Sequence, residues 1–263
     1  MDLRTAPVPA ALSAFGDLKG HLDLALARGD VAVHVQAEHA LDGGGVVAVE
    51  APLRWRLLGR VDIPPTAFLP LAEETGAIMS LGDRALVEGC AATAALSTVA
   101  AVNVGARQLA DPNLADRCVR VAAGAGLRPQ DLRLEVARVL MLRDVDGVKW
   151  QLDALRARGL RVVLDDADGT CLDLLDRLPL DGVKIDAEVI SRLGRDRSAG
   201  TVLRALVAAA HEGALPVIAE GVETEAHLEA VVAAGVDAAM GYRFAVPMPL
   251  ADLAAHLRGL TGG

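Results

Sequence analysis

Residues 160–186 read LRVVLDDADGTCLDLLDRLPLDGVKID. A run rich in Val and Leu ends on two adjacent acids, Asp165 and Asp166. A short stretch with helical spacing of apolar residues follows near 171–177. A second apolar run, VKID, then ends on Asp186. Such runs are typical of strands buried on both faces, and a helix between two of them makes a parallel pair. The same pattern recurs in both directions along the chain: VVAVE ends on Glu50, VAAVN on Asn103, LRLE on Glu135 and PVIAE on Glu220. Asp and Asn after a strand often cap the next helix, but Glu caps poorly, so Glu50, Glu135 and Glu220 need another explanation. On strands of one closed sheet these groups would form a ring at one mouth, where (β/α)8 barrels carry their chemistry.

The rest of the chain supports that reading. Helical periodicity over 11–28 is followed by VAVHVQ (31–36) and VVAVEA (46–51), which flank a turn containing Asp42-Gly43-Gly44-Gly45. This predicts an antiparallel hairpin for the first two strands. Helices expected near 64–77, 82–96, 111–125, 145–158, 171–177, 198–212, 224–234 and 250–259 then alternate with strands at 99–104, 131–136, 160–165, 182–186, 215–220 and 236–241. The expectation is an α/β fold of eight strands, mostly parallel, in one domain spanning 1–263, with 1–28 as an N-terminal helical lead-in. A length of 263 residues suits one such barrel.

Composition narrows the partners. Hydrophobic residues make up 52% and aromatics 2%, so the core must be built from Ala, Val and Leu. A net charge of −9 argues against a nucleic-acid polymer, though not against a small phosphate ligand held through metal ions. Lys and Arg number 26 together, yet only Lys19, Lys149 and Lys184 are lysines. In such a chain a lysine at a strand end beside Asp186 invites a specific explanation. Cys90, Cys118 and Cys171 form no CxxC pair and suggest neither a zinc site nor a disulfide framework. The N-terminus lacks the regions of a signal peptide, and the longest uncharged stretch, 89–106, reads as a helix end and a strand. A cytoplasmic protein with no membrane segment is expected.

Two adjacent carboxylates at one strand end repel unless a cation or a shared proton intervenes. The strand-end set supplies hard oxygen ligands enough for two divalent ions, the arrangement that promotes phosphodiester hydrolysis. Lys184 would then contact a phosphate or orient the water. The residues alone do not fix the reaction.

The motifs resemble the EAL domain family, the cyclic di-GMP phosphodiesterases of bacterial signalling. Glu50-Ala51-Pro52-Leu53-Arg54-Trp55 is similar to the family's EALLRW, and PTAFLPLAEETG (65–76) to its PxxFIPLAEETG. Val102-Asn103, Leu134-Glu135-Val136, Leu164-Asp165-Asp166, Lys184-Ile185-Asp186, Ala219-Glu220-Gly221-Val222-Glu223-Thr224 and Gly241-Tyr242 follow in the family's order, from about Leu22 to Leu257. The resemblance implies a modified TIM (β/α)8 barrel with an antiparallel first strand. It implies that Glu50, Asn103, Glu135 and Asp165 hold one Mg²⁺ or Mn²⁺, and that Asp165, Asp166 and Glu220 serve a second ion and its water. Lys184, Glu220 and Asp166 are the implied catalytic residues. Gln36, Arg54, Asp186 and Glu223 match ligand-binding or supporting positions. The implied reaction is metal-dependent hydrolysis of cyclic di-GMP to linear pGpG, with a homodimer and a regulatory protein partner left open.

The departures lie around the ring rather than in it. The loop after Asp166, Asp165-Asp166-Ala167-Asp168-Gly169-Thr170-Cys171-Leu172, is two residues shorter than the family's DDFGTGYSSL. Arg138 and Ala137 replace a Glu and a Thr after Glu135, and Arg138 is placed to pair with Asp166 or Asp168. Met240 replaces a Gln, Val35 and Ala37 flank Gln36 in place of Tyr and Pro, Pro52 stands third in the EAL signature, and Gly105 replaces a Ser. They motivate an alternative: a catalytically weak or inactive EAL domain acting as a cyclic di-GMP receptor or protein-binding adaptor. A metal-dependent barrel acting on another phosphate ester is a weaker third reading.

Overall fold

The computed structural model describes residues 18–57, 61–94, 96, 98–253 and 255. In chain order, α1 (Leu18–Arg28) leads to β1 (Val31–Val33), β2 (Gln36–Ala40), β3 (Val46–Glu50), β4 (Leu53–Leu57) and β5 (Val61–Ile63). Helices α2 (Pro65–Thr75) and α3 (Ile78–Ala94) precede β6 (Val99–Val104). Next come α4 (Ala106–Leu109), α5 (Leu114–Gly124), β7 (Leu132–Ala137), α6 (Arg138–Arg143), α7 (Val145–Ala157) and β8 (Arg161–Ala167). The chain continues through α8 (Leu172–Arg177), β9 (Val183–Ile185), α9 (Ala187–Ser191), α10 (Arg197–Glu212), β10 (Val217–Ala219), α11 (Glu225–Ala234) and β11 (Ala238–Ala239).

Eight of these strands close into a barrel in the order β10-β11-β2-β3-β6-β7-β8-β9. All neighbours are parallel except β2, which runs antiparallel to both β3 and β11. This is the α/β, modified TIM barrel with an antiparallel first strand that the sequence led us to expect. Strand alternation divides the side chains. Leu132, Leu134 and Val136 of β7, Val183 and Ile185 of β9, and Val217 and Ala219 of β10 pack outward in the large core under the helices. The intervening positions face the lumen. Val163, Ile218 and Ala238 form a small separate apolar cluster. Helix starts follow the expected capping chemistry: Asp144 accepts from Gly147 N, Asp196 from Ser198 N and Thr224 from His227 N.

Two expectations need correction. The barrel's antiparallel strand is 36–40, not 31–36. Val31–Val33 belongs to a separate antiparallel sheet, ordered β1-β4-β5, whose other two strands the sequence reading missed. The chain changes sheets at His34 and Val35, whose N–H groups bond Pro52 O at 3.0 Å and Met248 O at 2.8 Å. The side sheet shares a second core with α1 and α2, in which Trp55 meets Phe68 edge-on at 5.8 Å. The second correction adds α4, α6 and α9, short helices too brief to show periodicity. Of the expected helix at 11–28, residues 11–17 lie outside the described residues, as do 254 and 256–259 of the helix expected at 250–259.

Gly241 links β11 to the mouth with φ +149°, and a Cβ there would overlap the backbone of Val222. Val222 is tied on both sides, through Met240 O and Arg243 N, so it cannot yield. The Gly241→Ala variant is expected to lose about 2 kcal/mol or more of stability, seen as a fall of about 4 °C or more in melting temperature.

Candidate metal centre

The acids found at strand ends converge. Residue Glu50 of β3 lies opposite Gln36 and level with Ala101, Asn103 pairs in register with Glu135, and Asp165 is level with Ala137. Lys184 is level with Ile218, two residues before Glu220, so its four-methylene stem rises along the lumen to reach the carboxylates. Its ammonium is 1% exposed. It donates to Glu50 Oε2 at 2.7 Å and Glu135 Oε2 at 3.1 Å, and lies 3.8 Å from both Asp165 Oδ1 and Glu220 Oε2. The amide of Asn103 donates to Glu50 Oε1 at 2.7 Å.

A layer below, the sequence reading missed two charged residues. Arg133 of β7 and Glu38 of β2 meet inside the barrel; Arg133 Nη1 donates to Glu38 Oε2 at 2.9 Å, and Nη2 contacts both Glu38 Oε1 and Glu135 Oε1, the latter at 2.6 Å. Alternation offers the signal in retrospect: Arg133 shares the phase of Glu135, and Glu38 that of Gln36.

Charge balance decides what the site can hold. Glu38, Glu50, Glu135, Asp165, Asp166 and Glu220 are set against the buried cations Arg133 and Lys184, with Arg138 and Asp186 offsetting one another beside Asp166, so full ionisation would leave an excess of four negative charges. The excess raises the proton affinity of four of these acids. Burial raises Glu50 to about 7 against the pull of Lys184, and burial also lifts Asp165 well above the carboxylate range. Asp166 rises through burial and the charge of Asp186. For Glu220 the attraction of Lys184 is outweighed by burial and neighbouring acids, and its carboxyl also rises. Burial opposes ionisation of Glu135 too, but Lys184 and Arg133 together overcome it and hold its carboxyl low. Lys184 is held well above its ordinary value, because the four carboxylates outweigh its desolvation. It stays cationic.

Two divalent cations would cancel the excess, and the donors are hard oxygens of the kind Mg²⁺ and Mn²⁺ prefer. Ligand oxygens of Asp165, Asp166 and Glu220 lie within 4.8 Å of one another. The residues present therefore fit a divalent metal centre. Asp166 sits at φ 56°, in the left-handed region, with its N–H on Asp165 Oδ1 at 2.9 Å. Arg138 clasps the shortened loop: Nε donates to the Asp166 carbonyl at 3.0 Å, Nη1 to Thr170 Oγ1 at 2.7 Å, and Nη2 pairs with Asp168 at 3.2 Å.

The remaining candidate residues are dispersed around the mouth. Gln36 is buried and donates to Ala245 O at 2.8 Å. Arg54 lies on β4 and lines an open groove of about 730 Å³ with His34, Arg56, Tyr242 and Val246. Asp186 caps α9 through Glu188 N at 2.8 Å, near enough to Asp166 to affect it. Glu223 stands apart. It is exposed, its N–H reaches His227 Nδ1 at 3.4 Å, and its carboxylate joins none of the ring's ion pairs among the described residues. All three cysteines are free and buried.

A closed β/α barrel with a carboxylate ring around one buried lysine defines a class of metal-binding barrels. The family model of the EAL domain matches residues 20–247, and the chain belongs to the EAL domain family. It is 34% identical over 241 residues to the bifunctional diguanylate cyclase/cyclic di-GMP phosphodiesterase MucR of Pseudomonas aeruginosa, covering 89% of this chain and 35% of that protein. It is 32% identical over 249 residues to the cyclic di-GMP phosphodiesterase NbdA of the same organism, covering 92% and 32% respectively. The chain thus spans about a third of the length of these curated relatives. The solved structure of the PaMucR phosphodiesterase in complex with c-di-GMP superposes with a TM-score of 0.82 at 33% identity, over 91% of this chain and 98% of that one. Among the described residues, no helix is long and apolar enough to cross a membrane.

A carboxyl whose folded value is raised stabilises the fold fully below its unfolded value, and that contribution is lost as pH rises through the folded value. For Glu50 the window runs from 4.5 to about 7. Lys184, raised from 10.5, does not titrate there. In chelator, the melting temperature is therefore expected to fall between pH 5 and pH 8. Added Mn²⁺ should restore it most at pH 8, and Glu50→Gln should flatten the profile. A melting temperature that rises over that range in chelator would contradict the charge assignment.

Proposed function

We propose that this chain hydrolyses cyclic di-GMP to linear pGpG in bacterial second-messenger signalling, using Mg²⁺ or Mn²⁺ at the barrel mouth. The observation that carries this is the ring itself. Glu50, Asn103, Glu135, Asp165, Asp166 and Glu220 all reach one mouth, and Lys184 lies within 4 Å of four of their carboxylates. Family membership supplies the substrate class, and the relatives named above are themselves described as acting on cyclic di-GMP.

Glu50, Asn103, Glu135 and Asp165 would hold one ion, and Asp165, Asp166 and Glu220 the second. When bound, such a pair lowers the pKa of a coordinated water and neutralises charge on the phosphate. The chain's residues do the rest. Lys184 cannot accept a proton, because its ammonium is locked among carboxylates, so it donates hydrogen bonds to the water or the phosphate. Glu220 is 35% exposed at its side chain and has a raised pKa, which suits it to take the proton from the attacking water. Water adds to phosphorus, one bridging P–O3′ bond breaks, and the released 3′ oxygen takes a proton. Gln36 and Arg54 border the mouth and its groove, where a guanine base and a phosphate would lie, with Asp186 supporting Asp166. The protein would work in the cytoplasm, where the nucleotide is found.

A second reading, a receptor that binds cyclic di-GMP without turnover, is favoured by one observation. Arg138 fastens the short loop that carries Asp166. Pure protein incubated with cyclic di-GMP and Mn²⁺ separates the two. Appearance of pGpG, abolished in Lys184→Met and reduced about 10-fold or more in Asp166→Asn, is the expected result. Tight nucleotide binding by calorimetry with no product at micromolar enzyme would establish the receptor instead.

Lys184→Met also has an expected cost to stability. It leaves buried carboxylates without their cation, a loss of roughly 3–5 kcal/mol in the metal-free protein. Mn²⁺ should recover part of that loss, which thermal melts with and without the metal would reveal.

A further inference from the structure

Beneath the ring, the barrel floor holds an ion pair that the proposed chemistry does not use. Glu38 is 0% exposed and Arg133 8%. They come from strands β2 and β7, separated by β3 and β6 in the barrel circuit, and neither lines the groove. The small residues Ala48 and Ala101 stand beside them in register, which leaves the room that two long side chains need.

A buried ion pair is a weak way to stabilise a floor. Apolar residues of similar volume usually do as well or better, because they avoid desolvating two charges. Here the pair is not even fully satisfied, since Arg133 Nε meets no hydrogen-bond partner among the described residues. What the guanidinium does achieve is geometric. It contacts both oxygens of Glu38 and, through Nη2, also Glu135 Oε1, the last at 2.6 Å. Glu135 Oε2 is bonded to Lys184 at 3.1 Å. Both oxygens of Glu135 are therefore fixed, one by each cation. The planar fork of arginine permits this bridging, whereas an ammonium would act as a point charge.

We propose that Arg133, braced by Glu38, is a positioning residue that sets the orientation of the Glu135 carboxylate for metal binding. The proposal rests on reading the mouth as a metal centre. Arg133 itself touches neither metal nor substrate. It fixes one oxygen of Glu135, so that a cation meets a carboxylate already oriented rather than one that must be ordered on binding.

The test replaces the brace without changing its net charge. Glu38→Leu combined with Arg133→Met removes one negative and one positive charge, so the net charge of the barrel interior is kept, although Glu135 loses a neighbouring cation along with the fork; Arg133→Lys, measured beside it, keeps a cation there and separates lost orientation from lost charge. Mn²⁺ binding is measured by calorimetry without nucleotide, alongside melting curves in chelator. The expected result is a folded double variant whose Mn²⁺ affinity is about 10-fold or more below that of the unaltered protein. Should the double variant not fold, Arg133→Lys decides, because it keeps the charge but loses the fork; its Mn²⁺ affinity is expected to fall several-fold. A folded variant of either kind with unaltered Mn²⁺ affinity overturns the proposal and leaves Arg133 a structural residue. Absence of Mn²⁺ binding by the unaltered protein overturns the metal-centre reading, and the positioning role with it.

Discussion

The ammonium of Lys184, buried inside a ring of carboxylates, is the interaction on which the site depends. An uncompensated charge cannot be placed in a dry interior, and this one is compensated only because four strand ends deliver acids to it. That convergence requires the barrel to be closed and its stagger correct. A slip of one residue in β9 would turn Lys184 into the helix layer and bring Val183 or Ile185 into the lumen. The outward apolar positions under the helices and the inward polar ones are thus two halves of one register, and the core that holds the strands also holds the lysine in place.

The ring is not uniform. Glu135 is gripped by two cations and held ionised, whereas Glu50 shares Lys184 with it and takes its other bond from a neutral amide, Asn103. This difference explains why burial wins at Glu50 and loses at Glu135. Asp165, Asp166 and Glu220, on the other side, have only longer contacts to Lys184 or none, and all three rise. One half of the ring is fixed by the protein's own cations. The other half has its acids raised by burial and mutual repulsion, with less help from the protein's own cations. A divalent ion has most to gain at the second half, where it relieves repulsion that the chain leaves in place.

Much of this was legible in the sequence because it is periodic. Apolar runs ending on Glu50, Asn103, Glu135, Asp165 and Glu220, and the lysine inside the run that ends on Asp186, carry both the strand assignment and the site, since the residue after a buried run in a barrel lies at its mouth. The misplacement of the first barrel strand has a local cause. VAVHVQ has the composition of one strand, but its two halves join different sheets, and only the tertiary bonds of His34 and Val35 reveal the break. Leu53–Leu57 alternates apolar and charged residues as a half-exposed strand does, and that alternation is the sequence signal for the side sheet. The Glu38–Arg133 pair spans 95 residues of sequence, and no periodicity links two positions on separate strands.

Arg138 shows how a substitution near the ring can leave the ring's chemistry open. A cation at this position invites the idea that it neutralises Asp166 and takes the place of a metal. Its bonds go elsewhere: to the main-chain carbonyl of Asp166, to Thr170 and to the carboxylate of Asp168. Its effect on the Asp166 carboxyl ranks behind burial, Asp186 and Lys184. The guanidinium holds the loop's backbone in the left-handed turn at Asp166 while leaving that carboxylate directed toward Asp165 and Glu220. An anchor on the backbone therefore does for the short loop what a longer loop could do by packing. The negative charge it leaves unneutralised is the same charge that gives a divalent cation its reason to bind.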